Sequence, residues 1–211
     1  MNEIMLLIGL ENYNLLNAYT WILKNNPSNN LPYHNFNHIQ TVTYRTIQAS
    51  IYYNLSPIGK KELYLAALFH DYAHSVGINE DSENIIEAKK NLNDFLLLNP
   101  IKDINIGKIE AIIDATEYPY LLKEEDLNLE QKIIRDCDLM QILEPNYIQQ
   151  ILMGLHQESK KTLDFKNDFS TIVNNQLNFV KSIKPLTEWG DIIYKMESQD
   201  VINKLYKLSK I

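Results

Sequence analysis

Four of the five histidines in this 211-residue chain fall in two short clusters. The first is Tyr33-His34-Asn35-Phe36-Asn37-His38. His34 and His38 are four residues apart, so a helix starting here sets both rings on one side. The second is His70-Asp71-Tyr72-Ala73-His74. On a helix the adjacent His70 and Asp71 stand about a hundred degrees apart, so they flank one ion or bridge two. His74 follows one turn beyond His70. A third element, Asp136-Cys137-Asp138, offers two carboxylates, of which Asp138 is the better inward candidate. Mixed imidazole and carboxylate ligands suit zinc, iron or manganese, with magnesium or manganese at a position richer in carboxylate and water. Such an ion lowers the pKa of water and makes hydroxide available near neutral pH. Each part also has an ordinary reading. His70-Asp71 is a common structural dipeptide, His34 can cap a helix, and His74 can be a satisfied helix-end histidine. Asp136 reads as a solvated or structural acid, His156 as a surface residue, and Cys137 as buried packing, since no basic neighbour activates it.

These residues must be positioned by helices. No segment shows sustained two-residue alternation with β-branched enrichment, and Pro32, Pro57, Pro100, Pro119, Pro145 and Pro185 punctuate the chain at helix-length intervals. The pattern predicts an all-α, compact, single-domain bundle spanning 1–211, with about eight or nine helices. Their expected spans are 3–25, 35–54, 58–74, 81–98, 103–117, 126–143, 146–160, 165–183 and 188–209. Three of them carry polar residues where apolar ones are expected. On 58–74, Leu63, Ala66 and Ala67 continue into His70 and His74. On 126–143, Ile134 and Ile142 flank Asp138. On 165–183, a stripe of Phe165, Phe169, Ile172, Phe179 and Ile183 includes Gln176. Buried ionisable groups are costly unless paired or metal-bound, so the three stripes point to one shared polar site.

The succession His38, His70-Asp71, Asp138 resembles the signature of the HD superfamily of metal-dependent phosphohydrolases. Within it, the chain is most similar to class I cyclic-nucleotide phosphodiesterases. Their Tyr-His-Asn-x-x-His motif is matched by Tyr33, His34, Asn35 and His38, and their His-Asp-x-x-His motif by His70, Asp71 and His74. Gly77 and Asn79 resemble a Gly and Asn that follow, displaced by one residue. Thr116-Glu117 stands where that family has Thr-Asp, Cys137-Asp138-Leu139 resembles its Ala-Asp-Leu, and Gln176-Leu177-Asn178-Phe179 resembles its Gln-x-x-Phe. The resemblance runs from about residue 33 to 189 as spaced motifs. The chain is much shorter than that family's catalytic domains, and Ala73 stands where an acid is frequent.

The resemblance implies a fold, a metal centre and a reaction. His38, His70, Asp71 and Asp138 would hold divalent metal (Zn, Mn, Fe or Mg), with Asp71 bridging two ions. Hydroxide would attack phosphorus in line, and His34 would protonate the leaving oxygen as general acid. His74 would orient water or a phosphate oxygen. Gln176 and Phe179 would bind a base by amide hydrogen bonds and stacking, with Tyr33 beside them; Gln176 also reads as a satisfied core amide and Phe179 as core packing. The expected activity is hydrolysis of a nucleotide phosphodiester, a cyclic mono- or oligonucleotide. The alternatives are a phosphohydrolase acting on monoesters or triphosphates, and a nucleotide-binding module without catalysis.

The bulk of the sequence narrows the partners. A formal net charge of −7 disfavours binding to duplex nucleic acid, but a small anionic nucleotide remains compatible with a metal centre. No apolar stretch reaches bilayer-spanning length, and Met1–Leu10 has no basic flank or cleavage site, so it reads as part of a first helix. A single cysteine points to a reducing, cytoplasmic setting. Oligomeric state is left open.

Overall fold

The computed structural model describes residues 2–75, 80–150, 154, 158 and 165–210, with side chains in the last segment described from Phe169 onward. Among these residues the regular structure is helical throughout. The helices are α1 Glu3–Glu11, α2 Leu16–Asn25, α3 Phe36–Tyr52, α4 Pro57–Phe69, α5 Asp81–Leu98, α6 Ile106–Asp114, α7 Leu129–Leu139, the single turn α8 Tyr147–Gln149, α9 Phe165–Ser182 and α10 Glu188–Leu208. Short 3-10 turns lie at Pro27–Asn30, Glu124–Asp126 and Met140–Leu143. The all-α bundle read from the sequence is therefore the observed architecture. None of the described helices is long and apolar enough to cross a membrane.

The boundaries differ from the sequence reading where short polar residues compete for the backbone. The expected helix 3–25 is two helices, because Asn14 adopts a left-handed conformation (φ 58°) that ends the first. Asn35 caps α3 by accepting from the Asn37 amide, so His34 precedes the helix instead of lying on its first turn. Ser56 and Pro57 start α4 in the usual order of N-cap and first helical residue. That helix stops at Phe69, and Ala73, with φ 61°, turns the chain away before His74. His74 thus leaves the apolar stripe that leads into His70. Helix α7 opens with a capping box between Asn128 and Gln131 and ends one residue after Asp138. Most of the expected helix 146–160 lies outside the described residues.

Two apolar clusters hold the bundle together. The larger joins Leu6, Leu10, Ile22, Ile39, Leu68, Phe69, Phe95, Ile112 and Ile134, all fully buried. The smaller gathers Met140, Ile142, Tyr147, Val173, Leu177, Val180, Val201 and Leu205. On α9 the core stripe is Ile172, Val173, Leu177 and Val180. The expected stripe placed Phe179 in the core; the helical period instead turns it outward, where it is 38% exposed. The Arg45 guanidinium, on α3, bridges Glu144 and Glu197 and so ties α3 to α10.

Asp136 proves structural. It is fully buried and accepts hydrogen bonds from the Leu186 and Thr187 amides, 2.8 Å each, and from the Thr187 hydroxyl. Burial raises its pKa to about 6 against the pull of those three donors. Gly190 sits against this carboxylate so closely that a Cβ there would collide with it. Gly190→Ala is therefore expected to destabilise the fold by about 1–3 kcal/mol, read as a lowered urea midpoint with unchanged slope.

Candidate metal centre and ligand cavity

Three helix ends bring the ligating side chains together. His38 comes from the first turn of α3, His70 and Asp71 from the end of α4, and Asp138 from the last turn of α7. His38 Nε2 lies 3.2 Å from His70 Nε2, 3.1 Å from Asp71 Oδ2 and 3.1 Å from Asp138 Oδ1. His70 Nε2 lies 3.6 Å from Asp71 Oδ2 and 3.9 Å from Asp138 Oδ1. The His38, His70 and Asp138 ligand atoms all fall within 4.8 Å of one another, a group that can hold a metal ion. Asp71 adjoins it through both imidazoles.

Hydrogen bonding alone leaves this arrangement unsatisfied. His70 Nδ1 faces the Ala67 carbonyl at 2.9 Å. A carbonyl only accepts, so Nδ1 carries the hydrogen and Nε2 presents a lone pair to the cluster. His38 Nε2 then faces three acceptors with at most one proton to share. Burial alone would lower the His38 pKa, but Asp138 and Asp71 raise it to about 10, the proton standing where a cation's charge would act. For Asp71, burial works in the opposite direction, yet the His70 and His38 rings hold its carboxyl well below the usual range. The donor set of two imidazoles and carboxylates fits a divalent transition ion.

Beside the cluster, His34 and His74 stack ring on ring, with centroids 3.9 Å apart and planes 7° from parallel. The His34 and His38 rings do share one side, at 6.0 Å, although His34 reaches it from a loop. Glu158 holds His34 in place. Its Oε2 lies 2.6 Å from His34 Nδ1, and its Oε1 accepts from the backbone amides of Tyr33 and His34. Burial would raise the Glu158 pKa; His34 and the two amides bring it below the ordinary value. With Nδ1 so engaged, His34 Nε2 is the nitrogen left for a ligand. His74 Nε2 lies near Asn84 and Asp81, at 3.2 and 3.8 Å. Burial lowers its pKa, but Asp81 and the nearby acids win and raise it.

A cavity of about 520 Å³ opens onto these groups. His34, His38, Asp71, His74 and Asp138 line it, together with the remaining sequence candidates Tyr33, Gln176 and Phe179. The Tyr33 ring stacks on His38, with centroids 5.5 Å apart. Gln176 Oε1 accepts from the Tyr147 hydroxyl at 2.6 Å, which leaves its amide N–H groups for a ligand. Thr116 lines the cavity, whereas its neighbour Glu117 does not. Gly77, Asn79 and His156 lie outside the described residues.

The sequence reading missed Glu158, Asp81, Asn84, Tyr118, Tyr120 and Tyr147, all of which touch the cavity or hold a residue that does. Asp81 and Asn84 open α5, where an acidic first turn is the only signal; Glu158 stands far from His34 in sequence, with no spacing to betray it. Comparison with protein-family models returns no match, and no curated protein matches the chain.

Manganese or zinc added to chelator-treated protein is expected to raise its melting temperature, because an ion that binds only the folded state stabilises it by mass action. At a hundredfold excess over Kd the gain is about 2.7 kcal/mol. His70→Ala should abolish that shift while circular dichroism still reports a helical fold. A full metal-induced shift in this variant would remove the cluster as the binding site.

Proposed function

We propose that the protein is a metal-dependent phosphodiesterase of the HD type, hydrolysing a nucleotide phosphodiester, a cyclic mono- or oligonucleotide. The observation that carries this reading is the His34–Glu158 pair set beside the His38–His70–Asp71–Asp138 cluster in one cavity. A diester with an alkoxide leaving group needs two things: charge stabilisation at phosphorus and a proton at the departing oxygen. The two halves of the site match those needs.

His38, His70, Asp71 and Asp138 would hold a divalent ion, which when bound would supply positive charge to a phosphoryl oxygen and lower the pKa of water. The remaining work falls to the chain's own side chains. Glu158 orients the His34 ring through Nδ1, which leaves Nε2 to donate a proton to the leaving oxygen. His74 packs against His34 and limits that ring's rotation. Gln176, anchored by Tyr147, turns N–H donors to a base, and Phe179 offers a partly exposed ring in the cavity that Leu139 and Ile142 also line.

Charge weighs against the triphosphate alternative. No lysine or arginine lines the cavity among the described residues, and a polyphosphate would lack its usual cationic clamp.

The test is product analysis with manganese, using nucleotide diesters and an aryl phosphodiester whose leaving group needs no proton. Asp71→Ala is expected to lose turnover of all of them with the fold intact. His34→Ala should lose about 10²–10⁴-fold on the nucleotide diesters and far less on the aryl ester. Equal losses on both would remove His34 as the acid. Phosphate release from triphosphates or monoesters would replace the diester reading altogether.

A further inference from the structure

The cavity holds aromatic surface that the proposed chemistry does not use. Tyr118 and Tyr120 follow α6 and both line the cavity. Their rings meet edge to face, with centroids 5.6 Å apart. Tyr118 is 65% exposed, so the core does not account for it. Its backbone is nevertheless held: the Tyr118 amide donates to Asp81 at 2.5 Å. Arg135 holds the same segment. Its guanidinium donates to the carbonyls of Ala115 and Leu122 and covers the Tyr120 ring at 4.1 Å. An exposed tyrosine ring, braced edge to face by a half-buried one on a fastened loop, is a preorganised stacking surface.

Phe179 is a second such surface on the same cavity, carried by α9. The two surfaces hang from different parts of the bundle, one fastened to α5 and α7, the other to the smaller apolar cluster. The hydrolytic cluster, from α3, α4 and α7, lines the same space. Its volume, about 520 Å³, is more than one nucleoside monophosphate fills. The titratable side chains that line the cavity include histidines and aspartates but, among the described residues, no lysine or arginine, so beyond the metal at the cluster the affinity draws on stacking. That combination suits a ligand with several bases and a single negative charge per base.

We infer that Tyr118 and Tyr120 form a second base subsite, and that the substrate is a small cyclic oligonucleotide with at least two bases. This rests on the phosphodiesterase reading above. One base stacks on Phe179 within reach of Gln176, a second on the Tyr118–Tyr120 pair, and the phosphodiester between them lies at the cluster.

The experiment compares wild type, Tyr118→Ala and Phe179→Ala with manganese on three probes: an aryl phosphodiester, cyclic mononucleotides, and cyclic di- and trinucleotides. Linear dinucleotides serve as a ring control. Calorimetry measures binding of the same nucleotides to metal-free protein. Wild type should prefer a multi-base ring over any mononucleotide. Tyr118→Ala should weaken binding and kcat/KM for that ring by roughly tenfold and leave the aryl ester and the mononucleotides unchanged. Because Tyr118 is exposed, the variant's melting temperature should match wild type. Turnover of mononucleotides at or above the level for the rings would overturn the inference while keeping the phosphodiesterase. So would a Tyr118→Ala variant indistinguishable from wild type on the rings, or linear dinucleotides preferred to them. Failure of wild type to cleave even the aryl ester would sink the phosphodiesterase reading, and calorimetry would then judge the subsite on binding alone.

Discussion

Four lone-pair-bearing atoms from three helix ends converge where there are too few protons to satisfy them. That constraint organises the rest of the molecule. His38, His70, Asp71 and Asp138 are brought within hydrogen-bonding or ion-pair distance of one another in a mostly buried spot. A fold that maximised its own stability would place leucines there. The bundle instead spends much of its architecture on fixing these groups. The Asn35 cap sets where α3 begins, the end of α4 delivers two ligands in succession, and the Ala67 carbonyl selects the His70 tautomer. Asp136, two residues from Asp138, fastens the same helix end to the start of α10.

Much of this was legible in the sequence, for a specific reason. Histidine and aspartate interrupting an apolar stripe can be seen without knowing the partner helix, because burial of an ionisable group demands an explanation. Leu63, Ala66 and Ala67 leading into His70 gave that signal, and the structure buries all four. The all-helical fold followed from periodicity in the same way. Helix ends were less legible. Asn14 and Ala73 take left-handed conformations that no hydrophobic pattern announces, and each shifted a boundary by several residues.

What stayed hidden was contact at long range in sequence. Glu158 lies 124 residues from His34, and nothing local marks a glutamate as the partner of a distant imidazole. Tyr118 and Tyr120 stood in a proline-containing segment that reads as a connection, and only their placement at the cavity gives them meaning. Phe179 shows the converse. An apolar residue on an amphipathic helix reads as core, yet Val173, Leu177 and Val180 fill that role and leave its ring exposed.

The sign of the cavity's charge also bears on how a catalytic cycle would end. On the phosphodiesterase reading, cleavage converts a singly charged diester into a monoester that carries further negative charge once its proton leaves. That product would sit among Asp71, Asp81 and Asp138, with no lysine or arginine lining the cavity among the described residues. On the same reading, stacking would draw the intact ligand in, and repulsion from those carboxylates would grow only after the bond is broken. With no lysine or arginine among the described lining residues, retention of that product would turn on the grip of the bound metal ion.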